Sequence, residues 1–252
     1  MPSDTFEADK LLLARTSDAL RICEKNGTAK FVGFLDETSA AKAKAFAEKE
    51  KADFTLFGGY KQAERVLFGA VPEWISPPEN AFPIQALTLE FKKGLTLSHR
   101  DFLGSLMALG LNREAVGDIL SEEGRAVLFL TTEACKLVKN ELSQVGRVGV
   151  KIFDGFNEPL PCAHTLIDCS CFVPSLRLDA LVSGIMNNSR SDAVCLIESG
   201  MVFVNSLECE KCTKQINHDD VLKIRGAGKF IICDTGDLTR KGRIVLKYKK
   251  YN

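Results

Sequence analysis

The fold is decided by the stretch Ile84-Gln85-Ala86-Leu87-Thr88-Leu89-Glu90-Phe91, in which apolar and polar residues largely alternate. This period of two predicts a β-strand with one buried face. Ser98, a residue type that caps helices well, is expected to begin a helix that continues through Leu109 and stops at Gly110. A strand followed directly by a helix predicts a mixed α+β domain.

Two strands, a helix and a last strand are predicted to complete this domain. The two strands are expected at 116–120 and 126–130. Thr132 is expected to cap a helix that runs to Gln144, and the final strand is predicted at 147–153. The order strand, helix, strand, strand, helix, strand is that of the split βαβ, or ferredoxin-like, fold. RNA-recognition domains and many unrelated proteins share this order, so it assigns no function by itself.

Residues 1–78 are interpreted as a mostly helical α/β domain, which a proline-rich stretch separates from the middle domain at 79–160. The expected elements are a helix over 9–23, a second helix from Asp36 to Lys51, a short strand at 52–57 and a helix over 60–67.

Residues 173–252 are predicted to form a third, small α+β module. Leu176 to Ile185 carry apolar residues at helical spacing, and Ser189 is expected to cap a second helix that ends at Gly200. Short strands are predicted at 201–205, 221–225 and 229–232. The expected fold class is therefore α+β, with a ferredoxin-like (RRM-like) domain in the middle.

Composition and charge narrow the class of protein. Hydrophobic residues make up 45% of the 252 residues and charged residues 26%, which predicts packed cores. No apolar run approaches the about 18 residues of a membrane span, and the acidic N-terminus lacks a signal-peptide pattern, so a cytoplasmic protein with reduced cysteines is expected. Residues 173–252 hold 13 Lys and Arg against 9 Asp and Glu, a net of +4 that favours a polyanionic partner.

Four motifs of the third module resemble the RNA-binding domain named for ribosomal protein S-four: Arg177-Leu178-Asp179, the helix start Ser189-Arg190-Ser191, and the segments 197–205 and 219–226. A helix start presents free N–H groups and partial positive charge, which suits a phosphate. Arg177 adds a forked donor, and Asp179 can orient one of the arginines or serve only as a surface cap. The candidate RNA-binding residues are Arg177, Asp179, Ser189, Arg190, Ser191, Asn205, Arg225, Lys229, Arg240, Lys241 and Arg243.

The segments 57–65 and 97–120 extend the resemblance over nearly the whole chain, which is similar to the YlmH family of bacterial RNA-binding proteins. The segment Phe34-Leu35-Asp36 also resembles a family motif, but Glu37 follows its aspartate where the family commonly has a proline. The resemblance implies association with large-subunit ribosomal RNA near tRNA, a role in rescue of stalled nascent chains, and a link to cell division. Structured RNA is the expected partner, and no DNA, membrane or cofactor is expected.

Polar residues of these segments suggest a second surface for RNA or a protein partner. Capping and ion pairing account better for Asp101 and Asp118, whereas contact is favoured for three arginines. The candidate residues of this surface are Tyr60, Arg65, His99, Arg100 and Arg113.

Two alternatives stay open from sequence. Cys209 and Cys212 form a CxxC pair, and upstream lie Cys162, Cys169 and Cys171, with His164 and His218 nearby. Zinc usually needs two tight pairs, and the second pair here is a CxC, so no metal is assigned. The function also has alternatives. Instead of a non-catalytic RNA-binding protein, the chain could be an RNA-modifying enzyme or an interaction scaffold linked to cell division. The sequence lacks the glycine-rich nucleotide turn of a methyltransferase and the larger catalytic domain of a pseudouridine synthase.

Overall fold

The described residues form six helices and the strands of four antiparallel sheets, which confirms the predicted α+β class. The computed structural model describes residues 3–161, 166–238 and 242–251, and it divides into two units at 1–163 and 164–252. Within the described residues, no helix is both long enough and apolar enough to cross a membrane.

The N-terminal part of the first unit packs two helices on a three-stranded antiparallel sheet with the order β1-β3-β2. Buried alanines let the second helix lie close to the sheet, and Asp36 caps that helix as predicted by accepting a hydrogen bond from the Ser39 amide at 2.8 Å. The elements are α1 (Ser3–Asn26), β1 (Lys30–Leu35), α2 (Glu37–Lys49), β2 (Thr55–Phe57) and β3 (Val66–Ala70).

One predicted helix of this part is wrong. Residues 60–64 form turns and bends instead of a helix, and Val66 begins the central strand of the sheet. The strand β1 was not predicted, although Phe31, Val32, Phe34 and Leu35 form the short apolar run of a largely buried strand.

The middle part confirms the predicted split βαβ order. Its antiparallel sheet has the order β5-β6-β4-β9, so the third strand lies between the first and the second. The helix N-caps are Ser98, as predicted, and Thr131, one residue before the predicted Thr132. The elements are a 3-10 turn (Pro78–Ala81), β4 (Ile84–Glu90), α3 (His99–Ala108), a 3-10 turn (Arg113–Ala115), β5 (Val116–Glu122), β6 (Arg125–Thr131), α4 (Thr132–Glu141), the small hairpin β7 (Gln144–Val145) and β8 (Val148–Gly149), and β9 (Lys151–Asp154).

The central strands of the sheet face opposite α3 and α4 are covered. The Tyr60 ring stacks on Phe129 at 4.6 Å between centroids, and Phe156 meets the same ring edge-on at 5.6 Å. Arg125 ties the covering segment down by donating to the carbonyl of Pro159 at 2.6 Å. RRM domains bind RNA by stacking bases on this face. Here packed rings occupy its central strands β4 and β6, while Phe153 on the edge strand β9 is 48% exposed.

Gly59 makes this cover possible. Its φ is +98°, and a Cβ atom there would lie 2.5 Å from Cδ1 of Phe129. Gly59→Ala is therefore expected to lower the free energy of unfolding of the first unit by roughly 1–3 kcal/mol, because the backbone is strained and the ring must move. Urea denaturation measures the loss. Gly104→Ala is the control, since that glycine lies in α3 with open space around it and the change should stabilise by up to about 1 kcal/mol. Equal midpoints for Gly59→Ala and wild type would contradict the close packing.

The second unit places two helices on one face of a six-stranded antiparallel sheet with the order β10-β15-β14-β13-β11-β12. The strand β10 pairs with β15 along its whole length, so the sheet begins before the predicted domain boundary at 173. The elements are β10 (Leu166–Val173), α5 (Leu178–Met186), α6 (Arg190–Glu198), β11 (Val202–Val204), β12 (Leu207–Glu208), β13 (Val221–Ile224), β14 (Gly228–Leu238) and β15 (Ile244–Tyr251).

Candidate nucleic-acid interface

The helix starts of the second unit hold one carboxylate between two arginines. Arg177, the N-cap of α5, donates from Nε to Oδ1 of Asp179 at 3.1 Å and from Nη2 to Oδ2 at 2.9 Å. Arg190, the first residue of α6, donates from Nε and Nη2 to Oδ2 of Asp179 at 3.0 and 2.7 Å. Asp179 was expected to orient one arginine, and it orients both. We call these three residues the arginine cluster.

The cluster combines a buried anion with accessible cations. Asp179 is 2% exposed, whereas the side chains of Arg177 and Arg190 are 35% and 56% exposed. Burial alone would raise the pKa of Asp179, but hydrogen bonds from Arg177 and Arg190, together with the charge of Arg190, outweigh it and hold the pKa below its ordinary value. Two guanidinium groups and one carboxylate therefore present a net charge of +1 in a fixed geometry.

The lowered pKa of Asp179 predicts that the second unit loses stability in acid. The unfolded carboxyl has a pKa of about 3.9, so below that value the unfolded chain takes up a proton that the folded chain does not. The stabilisation from ionised Asp179 is complete above the unfolded pKa and is lost as pH falls through the folded pKa. Urea midpoints of wild type and Asp179→Asn between about pH 6 and pH 2 measure it. Parallel pH dependences of the two proteins would show that the arginines do not stabilise this carboxylate.

The backbone at these helix starts is largely occupied by the protein itself. The amides of Leu178 and Asp179 donate to the carbonyls of Lys214 and Cys212 at 2.9 and 3.1 Å. The hydroxyl of Ser189 donates to Asp192 at 2.7 Å in a reciprocal capping box. The predicted phosphate site combined backbone amides, a hydroxyl and a guanidinium at this helix start. Of these groups, the arginine side chains are accessible, and Ser191 lies exposed beside them.

Sequence reasoning missed the segment that supports α5. The carbonyls of Cys212 and Lys214 accept the first two amides of that helix, and Cys209 is buried in the core beneath. The CxxC pair thus belongs to a supporting loop. Among the described residues, no group of three or more His, Cys, Asp or Glu side chains is placed to hold a metal ion, while Cys162 and His164 lie outside those residues.

Asn205 holds a turn. Its φ is +51°, its Nδ2 donates to Asp220 at 2.7 Å and its Oδ1 accepts from the Val221 amide at 2.9 Å. These bonds use both ends of the side-chain amide, so its position is explained by the fold. Arg243 is exposed just before β15, and the candidates Arg240 and Lys241 lie outside the described residues.

Arg225 and Lys229 belong to a different surface from the arginine cluster. Leu222 and Ile224 are buried against the helices, so the alternate residues of this hairpin face the other way. The guanidinium carbon of Arg225 lies 4.9 Å from the centroid of Phe203, and Nζ of Lys229 lies 4.6 Å from that of Tyr251. The structure therefore divides the predicted set of RNA-binding residues between two faces.

Two residues of the predicted second surface, Tyr60 and Arg65, build the fold of the first unit together with Asp118. Asp118, 8% exposed, accepts from the Tyr60 hydroxyl at 2.8 Å and from the amides of Glu64 and Arg65 at 2.7 and 3.1 Å. Burial and the charge of Asp118 raise the pKa of Tyr60. The Arg65 guanidinium donates to three backbone carbonyls, those of Phe34 at 2.7 Å, Val116 at 2.9 Å and Arg113 at 3.0 Å. Tyr60 and Arg65 therefore fix the segment that follows Gly58 and Gly59. Asp118 has the structural role that the sequence favoured.

The remaining candidates of that surface differ in exposure. Arg113 is half-buried and donates to the Val116 carbonyl at 3.1 Å. His99 and Arg100 are exposed in the first turn of α3, which Ser98 and Asp101 cap reciprocally. Of the three arginines, Arg100 is exposed, whereas Arg65 and Arg113 are half-buried.

Known proteins resemble this chain over its middle part and over most of its length. Residues 77–155 match a family described as "Putative RNA-binding domain in YlmH". A Bacillus subtilis (strain 168) protein, "Ribosome-associated protein quality control protein P2", is 30% identical over 226 residues, which cover 88% of each chain. A solved structure, "Cell division protein ylmH from Streptococcus pneumoniae", covers 58% of this chain and 90% of that chain with 18% identity and a TM-score of 0.52, a likeness of fold.

Proposed function

Because the chain belongs to the YlmH family, we propose that it is a non-catalytic RNA-binding protein that docks on large-subunit ribosomal RNA near tRNA. It would act there in translation or in ribosome-associated quality control. The arginine cluster is the observation that carries the proposal. The name of the Bacillus subtilis relative, a ribosome-associated quality control protein, supports a ribosomal setting.

The chemistry of the cluster suits an RNA backbone. A guanidinium is a planar fork that matches a phosphate, and it stays charged at every physiological pH. Asp179 uses Nε and Nη2 of each arginine, which leaves the Nη1 groups directed away from the carboxylate. Holding both arginines in place before RNA arrives reduces the entropy lost on binding. Paired RNA is recognised mostly through its shape and backbone, so such a site needs few base-specific groups.

The same geometry argues against a catalytic role for Asp179. Its carboxylate accepts hydrogen bonds from both arginines and from the Ala180 amide at 2.9 Å. With its pKa held down, it is a weak base at neutral pH. Within the proposal the carboxylate is a positioning residue.

The middle part would contribute to RNA binding by another route than an RRM does. Tyr60 and Phe156 cover the central strands of its sheet face. Contact with RNA would then come from the exposed first turn of α3, where Arg100 lies.

Co-sedimentation with purified ribosomal subunits tests the proposal. The chain is expected to pellet with large subunits more than with small ones, and its affinity should fall steeply with salt, because each neutralised phosphate of paired nucleic acid contributes a slope of about −0.9 in log affinity against log salt. Equal recovery with both subunits, or an affinity insensitive to salt, would contradict the proposal.

A further inference from the structure

Within the described part of the second unit, the helices pack on one face of the six-stranded sheet and leave its other face without a helix. The core residues Leu222, Phe230 and Tyr248 point toward α5 and α6. The alternate residues of these strands point to the other face of the sheet. There Lys223 of β13 pairs with Lys229 of β14. We call this side, formed by the alternate residues of β10 to β15, the outer sheet face.

The outer sheet face is basic. By register it carries two anions, Asp168 and Glu208, among the side chains that the structure describes. Its five cations are Lys223, Arg225, Lys229, Lys247 and Lys249. The second unit thus concentrates positive charge on the face that its helices leave uncovered.

Aromatic rings lie among these cations. Arg225 packs over Phe203 and Lys229 packs over Tyr251, at 4.9 and 4.6 Å from the ring centroids. Phe172 is on the same side, opposite Val245, and is 61% exposed. An open aromatic ring beside lysines is the combination with which proteins bind single-stranded nucleic acid, since bases stack on the ring and phosphates pair with the cations.

From this arrangement we infer that the outer sheet face binds an unpaired RNA segment. Lys249 and Lys247 lie on β15 between Tyr251 and Val245, and Val245 pairs with Phe172. A strand of RNA that follows β15 therefore meets two cations between the rings of Tyr251 and Phe172. Base-paired RNA fits this face less well, because its bases are stacked on one another and its backbone follows a curved helix. The face is separate from the arginine cluster, so the inference does not rest on the proposed function.

Fluorescence anisotropy with a short fluorescein-labelled oligouridylate tests the inference on the full chain. Wild type is expected to bind. Lys223→Gln/Lys249→Gln should reduce the salt slope by about 1.4, because each lost contact with a single strand removes about 0.7. Phe172→Ala should weaken binding by roughly 5- to 100-fold through lost stacking. Circular dichroism melts of each variant check folding.

Lys92→Gln/Lys136→Gln is the matched control, since both lysines are exposed in the first unit. Its binding and salt slope should stay at the wild-type level. Failure of wild type to bind the oligouridylate would overturn the inference, as would wild-type binding by both outer-face variants or an equal loss in the control. Large-subunit co-sedimentation of the same proteins distinguishes this failure from failure of the proposed function, which depends on Arg177 and Arg190 instead.

Discussion

Large ribosomal subunits are expected to bind the variant Arg177→Gln/Asp179→Asn/Arg190→Gln more weakly than wild type by roughly 3–6 kcal/mol, an upper range that counts each charge-assisted contact as about 1.5–3 kcal/mol. Both guanidinium groups are lost, and the cluster changes from a net charge of +1 to neutral. Affinity is measured by co-sedimentation over a range of subunit concentrations.

Asp179→Asn is included so that a loss of binding cannot result from a loss of stability. Changing the arginines alone would leave Asp179, 2% exposed, as an uncompensated buried charge, and breaking a buried pair in that way costs about 3–5 kcal/mol of stability. Replacing the whole cluster by neutral amides leaves no stranded charge, so the urea midpoint should change little. Lys92→Gln/Lys136→Gln removes two exposed cations from the first unit and should bind as wild type does. Wild-type binding by the triple variant would show that RNA is held elsewhere.

Ile197→Ala is expected to reduce stability and not binding. The free energy of unfolding of the second unit should fall by about 2–5 kcal/mol. Ile197 is fully buried in the core between α6 and the sheet, so the shorter side chain leaves a cavity. Hydrogen exchange of the β11 and β13 amides in increasing urea measures the loss, because the single tryptophan, Trp74, lies in the first unit and does not report on this core.

Cys195→Ala is the control for this substitution. Cys195 lies on the same helix but is exposed, so its replacement should stay within about 0.5 kcal/mol of wild type. Folded Ile197→Ala should still bind large subunits, because the arginine cluster is intact. A loss of binding at temperatures where the protein is folded would mean that the helix, and not only the cluster, is part of the interface.

The middle part was predictable because its signals are local. Alternation identified the strands and Ser98 identified a helix start, and together they determine the split βαβ order. The cover on the sheet was not predictable, because it depends on Tyr60 and Phe156 meeting Phe129 across long sequence separations.

The wrong helix over 60–67 has a related cause. Its polar residues fit a helix in isolation, but Asp118 binds the amides of Glu64 and Arg65 and holds the chain in a turn. A contact over more than fifty residues of sequence thus overrides local propensity. The strand β10 was missed because its polar and cysteine residues, such as Asp168 and Cys169, lack a clean alternation of apolar side chains.

The candidate site was predictable as residues but not as geometry. The motif identified Arg177, Asp179 and Arg190, yet that one buried carboxylate binds both arginines follows only from how α5 and α6 pack. The placement of Arg225 on the other face had a signal in the sequence, since Leu222 and Ile224 alternate with charged residues. Counting that alternation would have separated the two surfaces.

Crosslinking of the wild-type chain and the triple variant to RNA in cells, followed by sequencing of the crosslinked RNA, tests the central claim most directly. The account predicts that wild type enriches large-subunit ribosomal RNA at a confined set of positions near tRNA, and that the triple variant, present at equal level, loses this enrichment. Identical crosslink profiles for the two proteins, or wild-type crosslinks spread evenly over cellular RNA, would contradict it.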